Sequence, residues 1–135
     1  MEENLKYYQY SPLALAYIGD SILDLMVKDH FVKAEDLPVE KYHRKVSDIV
    51  NARTQSAYAD SISDSFTEKE SDIFRRGRNS SPHTKAKNAT MTEYKKATGF
   101  EAVLGYLYLT KNEERMSELV KGLIGFSENK TDDKD

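Results

Sequence analysis

Three acidic side chains stand where acids are least at home. Across residues 12–27 the only charged groups are Asp20 and Asp24, in the stretch ALAYIGDSILDLM. Across residues 97–110 the only one is Glu101. A carboxylate in apolar surroundings must pair with a cation or give up its charge. Asp20 and Asp24 lie one helical turn apart, where like charges repel by about a few tenths of a kcal/mol. Gly19 precedes Asp20, and Gly99 and Gly105 flank Glu101. Glycine inside a helix costs about 1 kcal/mol relative to alanine, so something must offset it. Small residues allow close helix approach, and the pattern predicts that two apolar helices cross here and bring their acids together. Converging carboxylates with no local base form a donor set for a divalent cation. Mg2+ takes one or two carboxylates, keeps several waters and binds substrate phosphates. It supplies the missing positive charge and can activate water for phosphodiester hydrolysis. The competing reading is structural, with glycines that serve packing and acids that pair with arginine. Asp24 fits that alternative better, as an acid behind the site or at an interface.

Other catalytic constellations lack their parts. His30, His43 and His83 are scattered, with no HExxH, ExxH or His-Asp pattern, which removes zinc protease, di-iron bundle and His-Asp phosphohydrolase chemistry. There is no cysteine, hence no disulfide, thiolate zinc site or cysteine nucleophile. Ser21 has no nucleophile-elbow context, and no phosphate-binding glycine motif occurs.

Charge is distributed unevenly. The net charge is −3, but residues 75–96 hold Arg75, Arg76, Arg78, Lys85, Lys87, Lys95 and Lys96 against Glu93 alone. That segment nets +6 and leaves −9 for the rest of the chain. A lysine-rich solvated loop is the plain interpretation. Beside a helix with an isolated acid, it also suits a phosphate backbone approaching a metal, as an A-form RNA duplex would present. Arg75, Arg76, Arg78, Lys85 and Lys87 are the candidate phosphate contacts. Asn51, Arg53 and Gln55, polar residues of the preceding helix, are weaker candidates for RNA contact or simply a solvated face.

Ser11-Pro12 is a helix start, and apolar residues cover nearly every side of a helix reaching about Phe31, which predicts a central helix. A second helix is expected over 39–66, with Tyr42, Val46, Ile49, Val50, Ala57, Tyr58 and Ile62 on one face. A capping box, Thr67 to Glu70, opens a short helix to about Arg76. Gly77–Thr90 is rich in Gly, Ser, Asn and Pro and predicts an exposed basic loop. Helices follow over 91–110 and 112–125. The expectation is an all-α domain of five or six helices over residues 1–127, with 128–135 a flexible acidic tail. At 135 residues the chain suffices for one cored domain, and no apolar run approaches the roughly 20 residues that span a bilayer. The N-terminus MEENLKYYQY is not a secretory signal, so the cytoplasm is the expected compartment.

LALAYIGDSILDL resembles the signature helix of the ribonuclease III family, and FEAVLGYLYL resembles its second acidic motif. RRGRN, the KN at 87–88 and the lack of a double-stranded-RNA-binding domain resemble the Mini-III branch. The likeness runs from about Tyr10 to Phe126. It implies the all-helical catalytic fold of that family, five to seven helices, and a homodimer. It also implies Mg2+-dependent cleavage of double-stranded RNA, with Mn2+ able to substitute. Each protomer would cut one strand, leaving 5′-phosphate and 3′-hydroxyl ends. The branch is linked to maturation of 23S ribosomal RNA, with a ribosomal protein or assembly partner conceivable. Carried over by position, Asp20 and Glu101 are the metal-binding catalytic acids. Full-length members place further acids where this chain has Ala16 and Thr98, so Asp24 and Thr98 are left as supporting positions and the number of ions stays open. Outside the resemblance, the alternative is a non-catalytic helical RNA-binding or ribosome-assembly module. A protein-interaction adapter without RNA affinity is a third reading.

Overall fold

The computed structural model describes residues 10–81 and 89–133, with side chains to 129. Among them are α1 (Pro12–Ala34), α2 (Val39–Val50), α3 (Ala52–Ile62), α4 (Glu68–Ser80), α5 (Met91–Leu109) and α6 (Glu113–Asp133). A 3-10 turn, Ser63–Ser65, follows α3, and no strand occurs among the described residues.

Helix starts follow local chemistry. The Ser11 hydroxyl accepts from the Ala14 N–H at 3.0 Å, and Pro12 occupies the first turn of α1. Reciprocal capping boxes open α4 (Thr67 with Glu70) and α5 (Thr90 with Glu93), the first as expected from sequence. A buried ion pair then ties α4 to α6: Arg115 donates to both oxygens of Glu70, through Nε at 3.0 Å and Nη2 at 2.9 Å.

The central element is α5 rather than α1. Every residue from Ala97 to Leu107 is buried except Glu101, and α5 packs most extensively on α1, then on α4 and α3. Helix α1 buries mainly one row, Leu15, Gly19, Leu23, Val27 and Phe31, with Ala16 beside it and Ile22 and Met26 partly covered. Four of its large apolar residues, Leu13, Tyr17, Leu25 and Val32, face outward.

Three expected boundaries differ. The helix expected over 39–66 breaks at Asn51, whose side chain accepts from the Thr54 N–H at 2.8 Å and so caps a new helix. Its amide also donates to the Ser47 and Asp48 carbonyls at 2.9 and 3.0 Å, closing the end of α2. The basic loop expected from Gly77 begins later, because Gly77 is buried within α4. A Cβ there would lie 3.0 Å from both Ala102 Cβ and Gly99 Cα of α5. Helix α6 runs on to Asp133 rather than ending near 125.

Contact between α1 and α5 is nearly backbone to backbone. A Cβ built on Gly19 would sit 1.8 Å from the Glu101 carbonyl oxygen, and one on Gly105 would sit 2.0 Å from that of Leu15. Two reciprocal glycines therefore set this crossing distance. On an exposed helix a glycine-to-alanine change gains about 1 kcal/mol. Here it must push the helices apart, so Gly19→Ala and Gly105→Ala should each destabilise by about 3 kcal/mol or more, read by denaturant unfolding.

Candidate active site

The crossing fixes the partners of both acids. With Gly19 against the Glu101 carbonyl, Asp20 is carried to the Glu101 side chain, close enough for its charge to act on that carboxyl. The expected convergence is present, although the two acids are not equally buried. Asp20 is exposed, while Glu101 is half-buried in α5. Burial first, and the negative charge of Asp20 second, push the Glu101 pKa from 4.5 up to about 8. A hydrogen bond from Gln55 opposes the rise. Glu101 therefore holds its proton at neutral pH when no cation is present.

Gln55 is placed otherwise than expected. It is 1% exposed rather than on a solvated face. Its Nε2 donates to Glu101 Oε2 at 3.1 Å and to the Val50 carbonyl at 2.7 Å. The restart of the helix at Asn51 turns Gln55 inward with Ser56, Tyr58 and Ala59. The available signal was its spacing of four residues from Ala59 and seven from Ile62.

Neighbouring candidates fall away from the acids. Asp24 pairs with Lys28 at 2.8 Å on the surface of α1. Thr98 is buried and donates to the Tyr94 carbonyl at 3.0 Å, with Ser81 Oγ at 3.3 Å. Its hydroxyl serves the contact between α5 and the end of α4. Ala16 is buried in the core. Among the described residues no group of three His, Asp or Glu could hold a metal. A divalent cation fits the two facing carboxylates if water and phosphate complete its shell, as Mg2+ commonly arranges.

Of the candidate RNA contacts, Arg75, Arg76 and Arg78 lie on α4, the last of them on the helix rather than in the expected loop. Arg75 is exposed and pairs with Asp72. Arg53 projects from α3 with its Nε 3.7 Å from Glu93. Asn51 is an exposed helix cap whose amide and carbonyl are engaged within the chain. Lys85 and Lys87 lie outside the described residues. No helix of the described residues is long and apolar enough to cross a membrane.

Comparison with known proteins gives this arrangement a context. The Ribonuclease III domain family matches residues 13–112. Mini-ribonuclease 3 of Clostridium tetani is 41% identical over 121 residues, covering 89% of this chain and 80% of that protein. Mini-ribonuclease 3 of Enterococcus faecalis is 39% identical over 87% of this chain and 91% of its own length. A crystal structure of a Fusobacterium nucleatum protein superposes with a TM-score of 0.79 at 30% identity, covering 87% of this chain and 93% of that one. Both acids and the helices that join them fall inside the matched region, and the chain belongs to the ribonuclease III family, within its Mini-ribonuclease 3 group.

Proposed function

We propose that Asp20 and Glu101 hold Mg2+ and form the catalytic centre of this double-stranded-RNA endoribonuclease, within a catalytic unit spanning residues 1–127. The observation that carries the reading is the helix crossing with no room for a side chain, which sets the Asp20 carboxyl against that of Glu101. When bound, Mg2+ supplies positive charge that stabilises the charge developing on the phosphate during attack by water. The chain's own residues do the rest. Asp20, exposed, would offer its oxygens to the cation on the side open to RNA, while Glu101 anchors the site from the side of the core. Arg75, Arg76 and Arg78, with Lys85 and Lys87, grip the RNA backbone, and Arg53 adds charge from α3. Such contacts give affinity without reading sequence and weaken steeply with salt. Precursor 23S ribosomal RNA is the substrate to which the family resemblance points, in the cytoplasm, with a ribosomal assembly partner as an added component.

The functional unit in this reading is a homodimer. Tyr17 and Leu25 are 82% and 67% exposed, and with Leu13 they lie four and eight residues apart on one outward face of the helix that bears Asp20. An apolar row of this kind marks an association surface.

Purified protein mixed with duplex RNA and Mg2+ tests the centre. Asp20→Asn and Glu101→Gln should each lower the cleavage rate about a thousandfold, or about 4 kcal/mol, while keeping RNA affinity. Normal cutting by both variants overturns the assignment.

The raised Glu101 pKa sets a second expectation. A carboxyl whose folded pKa exceeds its unfolded value stabilises the fold fully below the unfolded value, here near 4.5, and loses that contribution as pH rises through about 8. The melting temperature of the metal-free protein should therefore fall between pH 5 and 9. Added Mg2+ should restore most stability at the alkaline end, and Glu101→Gln should flatten the dependence. For the assembly, sedimentation at micromolar concentration should show a dimer, and Leu25→Glu should yield a folded monomer with at least about tenfold lower activity.

A further inference from the structure

We infer that Gln55 is a positioning residue for catalysis, fixing the Glu101 carboxylate so that it can take up the cation; this rests on the Asp20–Glu101 reading above. The buried amide is poorly explained by packing. Its Oε1 makes no hydrogen bond within the described residues. A leucine or methionine would fill the same space without leaving an acceptor unpaired. What the amide provides, and an apolar side chain cannot, is a donor aimed at Glu101 Oε2.

Its orientation is determined by its neighbours. The groups beside Nε2, a carbonyl and a carboxylate oxygen, are both acceptors. Exchanging the amide oxygen and nitrogen would set acceptor against acceptor, so one orientation alone satisfies the site when Glu101 is ionised.

The break at Asn51 supplies the second anchor. In an unbroken helix the Val50 carbonyl would accept from the Thr54 N–H. That N–H instead goes to Asn51 Oδ1 at 2.8 Å, and the Val50 carbonyl accepts from Gln55 Nε2 at 2.7 Å. A chain of contacts thus runs from the helix cap, through the freed carbonyl and the buried amide, to one oxygen of Glu101. That oxygen is tethered and the carboxylate cannot swing freely. Hydrogen bonds of this kind to a ligating carboxylate raise metal affinity and set ligand orientation.

The test is Gln55→Met, which keeps length and volume and removes the donor. Mn2+ binding to the RNA-free protein is measured by calorimetry, alongside kcat and KM on duplex RNA. The expected result is about tenfold weaker Mn2+ binding and about tenfold lower kcat, with KM for RNA unchanged and no drop in melting temperature. In a Glu101→Gln background the same change should have no further effect on Mn2+ binding. Wild-type Mn2+ affinity and kcat in folded Gln55→Met overturn the inference. Should that variant not fold, the side-chain amide resonances of Gln55 in the wild-type protein decide. They should shift as Mg2+ is titrated in, and an unmoved amide overturns the role. Asp20→Asn separates the two levels of the argument. Full Mn2+ binding by that variant sinks the two-carboxylate centre itself, whereas binding lost there but kept in Gln55→Met sinks only the role of Gln55.

Discussion

The near-contact of α1 and α5 is the constraint from which the rest of the structure follows. Gly19 against the Glu101 carbonyl and Gly105 against that of Leu15 leave no volume for a methyl group on either helix. Ordinary helix pairs keep their axes about 8–10 Å apart because side chains intervene. Removing those side chains at two points lowers the separation and brings neighbouring residues into direct register. Asp20 follows Gly19 immediately, so the glycine that permits the approach also decides which acid meets Glu101. Packing and chemistry are set by the same dipeptide.

The approach carries an electrostatic cost. Burial, and after it the neighbouring charge of Asp20, push Glu101 up to about 8. A proton on Glu101 relieves the repulsion in the free protein. In the proposed reading a divalent cation would take that place, and proton and metal would compete for the same oxygens. Gln55 would favour the metal, because its donated hydrogen bond stabilises the ionised form of Glu101. Its own placement traces back to Asn51, a cap that interrupts a helix and frees the carbonyl to which Gln55 is anchored.

The two central helices divide the remaining work. α5 is enclosed on nearly all sides between Ala97 and Leu107 and serves as the hub on which α1, α3 and α4 pack. α1 is equally apolar in composition but gives this core chiefly one row, with Ala16 beside it. Its outward row of Leu13, Tyr17 and Leu25 lies beside Asp20, so an association surface on α1 would adjoin the site. The arginines of α4 stand on the helix that packs on α5 through Gly77 and Gly99, which ties the basic face to the same hub.

Much of this was legible in the residues themselves. Ser11-Pro12 and the Thr67–Glu70 box fixed two helix starts, since capping is a matter of side chains reaching N–H groups two or three positions away. The isolated acids and adjacent glycines announced a crossing, because each was costly in its own helix and needed a partner outside it. Family likeness then assigned Asp20 and Glu101 a shared chemistry. Tertiary structure decided what depends on residues distant in sequence. The 39–66 pattern reads as one helix by apolar spacing, yet Asn51 closes one helix with its amide and opens another with its carbonyl. That break rotates Gln55 from an expected surface onto the core, where its partner lies on α5. Likewise the apolar composition of α1 could not say which of its rows would be covered. Composition states how much surface a helix can bury, whereas only the arrangement of the other helices states which part is buried.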